Sequence, residues 1–235
     1  MSNNFFKFKQ FTVYHDLCAM KVGTDGVLLG AWAGCTDCNS ILDVGTGSGL
    51  IALMMAQRSR AQIDAVEIDE RACRQALANV EESPFPSRIR VVHTDYQSFH
   101  PGYLYDLIVS NPPYFSLSLE NPDSVKARAR HNASLSFETL IRKSSLLLKD
   151  GGRLAVIVPF EARTIWNQQA LSCRLNLLKE TSVKSKTGKP PKRILLEYIK
   201  GAADCIDRTE LVIEQDKHMY SPEYVELTKD FYLSL

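Results

Sequence analysis

Short apolar runs alternate along the chain with segments in which apolar residues recur every three or four positions. The runs at 41–44, 62–69, 88–93 and 105–110 have the length and the β-branched content of buried strands. The intervening segment 70–81 has the period of an amphipathic helix. Strands that alternate with helices predict parallel strands joined by crossover helices, and therefore an α/β fold.

The second half of the chain predicts a fifth strand, a hairpin and a short tail. The fifth strand is the apolar run Gly152–Pro159, which follows an Asp-Gly-Gly turn. Two further strands, near Asn176–Val183 and Arg193–Ile199, flank a polar segment rich in lysine. An antiparallel hairpin fits these two strands. The tail holds a short strand at Glu210–Glu214 and a helix from Pro222 onward.

Length and charge bound the organisation of the chain. The 235 residues are enough for one α/β domain with short additions. We expect a lead-in segment at 1–35, a main domain at 36–200, and a C-terminal extension at 201–235 that packs on the same domain. The formal net charge is +1, so contact with a polyanion must come from local clusters of basic residues.

The cysteines and the apolar stretches bear on the cellular compartment. The six cysteines are mostly scattered, which fits the reducing cytoplasm. Cys35 and Cys38 have the spacing of a metal or redox pair, but no second pair follows them, so we expect no metal. No apolar stretch approaches the length of a membrane span, and the N-terminus lacks the apolar core of a secretory signal.

A glycine-rich turn follows the first strand of the main domain. Gly45, Gly47 and Gly49 permit a tight turn and a close approach of the backbone to a ligand at a helix N-terminus. The dinucleotide fingerprint would place its third glycine at Leu50, so the spacing argues against NAD. Asp43, before the turn, would repel a pyrophosphate but suits a cationic amino-acid group. S-adenosylmethionine has that group, with S-adenosylhomocysteine as the product.

Acidic side chains end the next two strands. Glu67 lies about 20 residues beyond the glycines, where an α/β nucleotide site places its ribose-binding carboxylate. Asp69 is better placed as the N-cap of the helix Glu70–Glu81. Asp95 either accepts a hydrogen bond from an adenine amine, with Tyr96 or a nearby apolar side chain against the ring, or caps the next turn of helix.

The fourth strand ends in a rigid polar-aromatic loop, Asn111-Pro112-Pro113-Tyr114. The amide oxygen of Asn111 and the carbonyl oxygen of Pro112 can accept the two hydrogens of a planar exocyclic amine or carboxamide. The prolines fix φ and remove donors, so these acceptors stay aimed. We assign catalytic roles to Asn111, Pro112 and Tyr114, whose ring can stack on the target, with Phe115 as a second wall. Asn111 also borders the expected cofactor site.

Polar residues end four predicted strands: Asp43, Glu67, Asp95 and Asn111. Their order along the chain resembles that of the class I S-adenosylmethionine-dependent methyltransferases. The chain resembles one family among them over nearly its full length, the bacterial tRNA1(Val) (adenine(37)-N6)-methyltransferases. The segments that carry this resemblance are the glycine loop, the Asn-Pro-Pro-Tyr loop and residues 8–11, 20–32, 129–131 and 220–233.

The resemblance implies a Rossmann-like fold with a mostly parallel seven-stranded sheet, an antiparallel last strand and helices on both faces. It implies methyl transfer from S-adenosylmethionine to the exocyclic N6 of an adenine in a tRNA anticodon loop, adenine 37 of valine tRNA. Neither a metal nor an obligate protein partner is implied. In the superfamily, a segment such as 1–35 covers the cofactor pocket, so Lys21, Thr24 and Asp25 are candidate contacts of the methionine carboxylate or its water. Thr24 or Asp25 is also a candidate cap for a helix over Gly26–Ala33.

Two basic runs stand out against the neutral chain. One directly follows the acceptor loop, and the other fills the hairpin without an acid among its residues. A charge run is usually a solvated surface loop, but the first run flanks the place where a substrate base must enter. The candidate substrate contacts are therefore Phe115, Lys126, Arg128, Arg130, His131, Lys184, Lys186, Lys189, Lys192 and Arg193. Lys7 and Lys9, set among phenylalanines, are a second candidate RNA surface; the alternative is that these phenylalanines pack a lid.

Three alternatives stay open at this point. A release-factor glutamine methyltransferase would use the same acceptor loop, but it carries a helical N-terminal domain that the 35 residues before the first strand cannot hold. A DNA adenine methyltransferase usually needs a target-recognition domain, and no segment here is long enough. A non-enzymatic S-adenosylmethionine-binding RNA-interaction module would have no need of an acceptor loop.

Overall fold

The computed structural model describes residues 3–113, 135–217 and 219–234. The strands are β1 Phe5–Lys7, β2 Thr12–Tyr14, β3 Ser40–Val44, β4 Gln62–Glu67, β5 Ile89–His93, β6 Tyr105–Ser110, β7 Leu148–Pro159, β8 Leu175–Lys186, β9 Arg193–Lys200, β10 Asp207–Asp216 and β11 Met219–Tyr220. The helices are α1 Thr24–Trp32, α2 Leu50–Arg58, α3 Glu70–Glu81, α4 Phe137–Leu147, α5 Arg163–Ser172 and α6 Pro222–Thr228.

A mixed sheet forms the centre of the molecule, in the order β11-β10-β8-β9-β7-β6-β3-β4-β5. Strands β3 to β7 run parallel to their neighbours in this group, whereas β9 is antiparallel to both β7 and β8. The predicted fold class is confirmed, including the reversed strand and the hairpin. Helices α2, α3 and α4 connect successive parallel strands, and a direct turn connects the antiparallel strands β8 and β9.

The sheet of the described residues has nine strands, two more than the predicted seven. The extra strands come from the tail, where the expected short strand is the longer β10, paired in parallel with β8. An uncovered edge strand exposes unpaired backbone N–H and C=O groups, and β10 satisfies those of β8. The division of the chain into three segments stays a prediction.

Apolar side chains fill the space on both faces of the sheet. Ile41 and Leu107 belong to one core cluster with α1 and α2, whereas Leu42 and Ile108 belong to another with α4 and α5. Neighbouring residues of a strand point to opposite faces, so strands buried on both sides need apolar residues at successive positions. The predicted helices on both faces of the sheet are thereby confirmed.

The parallel strands end together at one edge of the sheet. Val44 at the end of β3 lies opposite both Val66 of β4 and Ser110 of β6. Glu67 lies opposite His93 of β5. The loops that follow these strands therefore meet, as expected for the ligand-binding edge of an open α/β sheet.

Helix α1 begins earlier than the sequence predicts. Its N-cap is Gly23, which makes no side-chain capping bond, so the predicted cap at Thr24 or Asp25 is wrong. Both residues instead lie in the first helical turn. The helix packs closely on α2, because a Cβ at Gly30 would lie 2.5 Å from the sulfur of Met54. No helix in the described ranges is long and apolar enough to cross a membrane.

Candidate active site

A cavity of about 330 Å³ opens where the glycine loop, the start of α1 and the end of β6 meet. Its lining includes Lys21, Thr24, Gly45, Gly47 and Asn111, which the sequence assigns to the cofactor site. These residues come from three distant parts of the chain. The volume lies within the range of about 300–1,000 Å³ that is typical of small-molecule sites.

The glycine loop has the conformation that its sequence predicts. Gly45, Gly47 and Gly49 have φ values of +72°, +57° and +82°, in the left-handed region that favours glycine. A Cβ built on Gly45 or Gly47 would meet no atom within 4 Å. The requirement for glycine at these two positions is therefore conformational, and the space in front of the loop is open to a ligand.

Asp43 lies behind the loop and is fully buried. Its Oδ2 accepts hydrogen bonds from the Thr46 hydroxyl at 2.6 Å and from the Ala52 backbone N–H at 3.1 Å. Its Oδ1 has no hydrogen-bond partner among the described residues, and burial raises the pKa of the carboxyl to about 7. Asp43 thus fixes the loop against the first turn of α2, and its contact with a cationic group of the cofactor stays a prediction.

Glu67 holds the loop from the neighbouring strand. Its Oε2 accepts a hydrogen bond from Gly47 N–H at 2.8 Å, and its Oε1 accepts from the N–H groups of Ile68 and Asp69, each at 2.9 Å. A carboxylate offers about four acceptor positions, so one at Oε2 is left for a ligand hydroxyl. Asp69 accepts from Ala72 N–H at 2.8 Å, which confirms it as the N-cap of α3.

Asp95 and Tyr96, after β5, take only part of the roles that the sequence predicts for them. Asp95 accepts a hydrogen bond from Gln97 N–H at 2.9 Å and caps a short 3-10 turn. Of its two predicted roles, the structure shows the cap. Tyr96 is buried and its hydroxyl contacts that of Ser144 at 3.1 Å, so its ring is not available to stack on a ligand. Ile68, beside Glu67, is an apolar side chain that is 56% exposed.

Asn111 and Pro112 are half-buried at the end of β6, and Asn111 borders the cavity. The preceding residue, Ser110, donates a hydrogen bond to the carbonyl of Val44 at 2.9 Å, which holds the ends of β6 and β3 together. The other predicted residues of the acceptor loop and of the first basic run lie outside the described residues: Tyr114, Phe115, Lys126, Arg128, Arg130 and His131.

Two polar residues of α3 that the sequence did not single out position the site. The side chain of Asn79, 1% exposed, accepts from Tyr14 N–H at 3.0 Å and donates to the carbonyls of Tyr14 and Ser48, each at 2.8 Å. Gln75 accepts from Leu17 N–H at 3.2 Å. Ser48 belongs to the glycine loop, so α3 links the lead-in segment to that loop. The sequence could have indicated this link, because Gln75 and Asn79 are amide side chains four residues apart and therefore lie on one face of α3.

The basic hairpin is less positive than its sequence indicates. Lys184 pairs with Glu210 at 2.7 Å and Lys186 pairs with Glu214 at 2.9 Å. Both acids lie on β10, which pairs with β8 in the sheet. The run itself contains no acid, but sheet pairing brings two acids of the tail to its lysines.

The remaining basic residues of the hairpin differ in their surroundings. Arg193 pairs with Asp25 at 2.8 Å. Lys189 and Lys192 are exposed, and neither forms an ion pair with any residue that the structure describes. These two lysines are the hairpin cations most accessible to a polyanion.

Cys35 and Cys38 belong to the hydrophobic core. Burial raises the pKa of the Cys38 thiol to about 11 and also raises the pKa of Cys35. Metals bind the thiolate form, which burial disfavours here. Across residues 3–113, 135–217 and 219–234, no group of three or more histidine, cysteine or acidic side chains is arranged to hold a metal ion.

Comparison with known proteins shows the family to which this chain belongs. A family model described as the methyltransferase small domain matches residues 28–180. The chain is 48% identical over 237 residues to the tRNA1(Val) (adenine(37)-N6)-methyltransferase of Parabacteroides distasonis, covering 100% of both chains. It is 43% identical over 237 residues to the protein of that name from Salmonella enteritidis, covering 99% of this chain and 96% of the relative.

Solved structures of methyltransferases share the fold. A predicted O-methyltransferase from Agrobacterium tumefaciens matches with a TM-score of 0.70 at 21% identity, covering 88% of this chain and 96% of that one. A putative S-adenosylmethionine-dependent methyltransferase from Streptococcus mutans matches with a TM-score of 0.62 at 13% identity, covering 85% and 56%. At these identities, the likeness supports the architecture of the sheet and not the choice of substrate.

Proposed function

Because this chain belongs to the tRNA1(Val) (adenine(37)-N6)-methyltransferase family, we propose that it methylates the exocyclic N6 of adenine 37 in valine tRNA, with S-adenosylmethionine as methyl donor. The observation that carries this proposal is the position of Asn111. The residue borders the same cavity as Gly45 and Gly47, so an amine held by Asn111 would lie next to a ligand held by the glycine loop. We place the enzyme in the cytoplasm, together with its tRNA substrate.

Three features of the site support the proposed cofactor. The left-handed glycines leave open space before the loop, where the methionine portion would lie, and Lys21 and Thr24 border the cavity where they could bind its carboxylate. The unused acceptor position of Glu67 suits a ribose hydroxyl. S-adenosylmethionine supplies a methyl group that its sulfonium centre has already activated.

Two side chains at the edge of the sheet would complete the nucleoside site. Asp95 uses one carboxylate oxygen as a cap, which leaves the other to accept a hydrogen bond from the adenine amine. The exposed Ile68 offers an apolar face for the ring. These contacts would bind and orient the adenine portion of the cofactor.

Asn111 and Pro112 would activate the target by position alone. The lone pair of an adenine N6 is delocalised into the ring, so the amine is a poor nucleophile until it pyramidalises. Acceptance of both N–H hydrogens by the Asn111 amide oxygen and the Pro112 carbonyl favours that geometry. Tyr114 and Phe115 would stack on the base, which a loop adenine presents at lower cost than a paired one. The amine proton would leave to solvent after methylation.

Basic loops would bind the tRNA backbone. We assign this role first to Lys189 and Lys192, which are exposed, and to the run at 126–131. Lys184 and Lys186 would contribute less, because each already shares its charge with a glutamate. With a net charge of +1, affinity for a polyanion depends on such local clusters.

The test offers methyl-labelled S-adenosylmethionine with four separate acceptors: a valine tRNA transcript, the same transcript with guanine at position 37, a DNA duplex and a release factor. Digestion of the products should yield labelled N6-methyladenosine from the first transcript alone. Label in the release factor would instead identify a glutamine methyltransferase. Equal labelling of the two transcripts would refute the choice of adenine 37.

A further inference from the structure

One ion pair joins the basic hairpin to the wall of the cofactor cavity. Arg193 Nε donates to Asp25 Oδ2 at 2.8 Å, and the two side chains are 34% and 25% exposed. Asp25 lies in the first turn of α1 and lines the cavity. Arg193 is the first residue of β9, directly after Lys192. The pair therefore spans from a strand of the central sheet to a wall of the site.

The two ends of this ion pair lie in different surroundings. Around Arg193, Lys192 N–H donates to the Val183 carbonyl at 2.9 Å, and Phe160 N–H donates to the Lys192 carbonyl at 3.2 Å. Around Asp25, residues 15–23 before α1 form turns and bends without a helix or strand. Backbone hydrogen bonds thus hold the chain next to Arg193 in the sheet. Asp25 instead lies near the start of a helix that follows an irregular segment.

The cavity wall is held on its other side by close packing. A Cβ at Gly26 would lie 3.0 Å from Cδ2 of Leu50, the first residue of α2 after the glycine loop. The start of α1 thus contacts the helix that follows the glycine loop through Gly26 and the sheet through Asp25. Residues Gly26–Trp32 are buried and hold the rest of α1 in the core, so loss of the ion pair would loosen only the exposed start of the wall, which carries Lys21 and Thr24.

From these contacts we infer that Arg193 is a positioning residue for the cofactor cavity, acting through Asp25, rather than a phosphate contact like its neighbour Lys192. This inference rests on the proposed binding of S-adenosylmethionine in the cavity. Its distinguishing consequence is that Arg193 governs cofactor affinity in the absence of RNA, whereas Lys192 does not.

Calorimetric titration of S-adenosylmethionine without tRNA tests the inference on the full chain. Arg193→Gln and Asp25→Asn should each weaken binding about 5-fold or more, the lower end of typical coupling between sites. The double variant should be weakened by less than the product of the two single effects, because both changes remove the same ion pair. Arg193→Lys should recover most of the affinity, and the charge exchange Arg193→Glu with Asp25→Lys should recover part of it.

Lys192→Gln is the matched control, since it removes a neighbouring cation of the same hairpin. It should weaken tRNA binding and leave cofactor affinity unchanged, the reverse of Arg193→Gln. Circular dichroism and thermal unfolding would show that each variant is folded. Wild-type cofactor affinity in Arg193→Gln, or full additivity in the double variant, overturns the inference. Failure of the wild-type chain to bind the cofactor would instead refute the proposed function, and the inference with it.

Discussion

Replacement of Glu67 by glutamine tests whether one carboxylate serves both the glycine loop and the cofactor. The amide oxygen can keep the two hydrogen bonds from Ile68 and Asp69, but the NH₂ group then faces the N–H of Gly47. A buried donor left without an acceptor costs about 1–3 kcal/mol, so the free energy of unfolding should fall by that amount. Glu67 is 9% exposed, so solvent cannot fully replace the lost bond.

Cofactor binding should suffer separately from stability. A hydrogen bond between a carboxylate and a ribose hydroxyl contributes about 1.5–3 kcal/mol, so the Kd of S-adenosylhomocysteine should rise about 10- to 150-fold. Glu70→Gln is the matched control, because its side chain is 69% exposed and only 3.9 Å from Arg74 in a surface ion pair. That control should change stability by less than about 0.5 kcal/mol and leave Kd unchanged.

Deoxy analogues of the ligand separate the two roles of Glu67. Wild-type protein should bind S-adenosylhomocysteine more tightly than its 2′- or 3′-deoxy analogue, and Glu67→Gln should lose that preference. Isothermal titration calorimetry gives the affinities, and urea unfolding gives the stability. Unchanged Kd in a folded Glu67→Gln protein would refute the ribose contact. A preserved preference for the hydroxyl would show that Glu67 acts through the loop alone.

The other predictions concern the target amine, the RNA surface and a buried acid. Asn111→Ala should lower the single-turnover rate on the order of 10²–10³-fold with cofactor Kd nearly unchanged, and a near-normal rate would contradict positioning of the amine. Lys189→Gln and Lys192→Gln should each reduce the slope of log K against log salt for tRNA by up to about one, whereas unchanged slopes would identify a solvated turn. Burial raises the pKa of Asp43 from 3.8 to about 7. Between these pH values the folded state therefore binds more protons than the unfolded state. The free energy of unfolding should fall as the pH rises from about 4 to about 7. In the wild-type protein this decline should amount to about 1.4 kcal/mol for each unit of the pKa shift, and Asp43→Asn should lack it when both are unfolded in urea. Parallel pH profiles for the wild type and the variant would show that the raised pKa does not belong to Asp43.

Local signals in the sequence were enough for the elements that depend on short-range chemistry. The bounds of α3 and its cap at Asp69 follow from apolar period and the capping preference of aspartate. The glycine loop follows from three residues that tolerate positive φ. The parallel sheet with a reversed strand follows from alternation of strands and helices and from a hairpin signal. Each of these features depends on residues close together in the chain.

The tertiary structure decided which partner each polar group has. The sequence placed Asp43, Glu67 and Asp95 at strand ends, but only the fold shows that each already accepts hydrogen bonds from backbone N–H groups of the surrounding loops or helices. The lysine run of the hairpin gains its acids from β10, a strand whose place beside β8 has no local signal. Likewise, Arg193 meets Asp25 across 168 positions of the chain. A carboxylate pairs with whatever donor or cation the fold brings near it, so its role depends on long-range packing that local pattern does not encode.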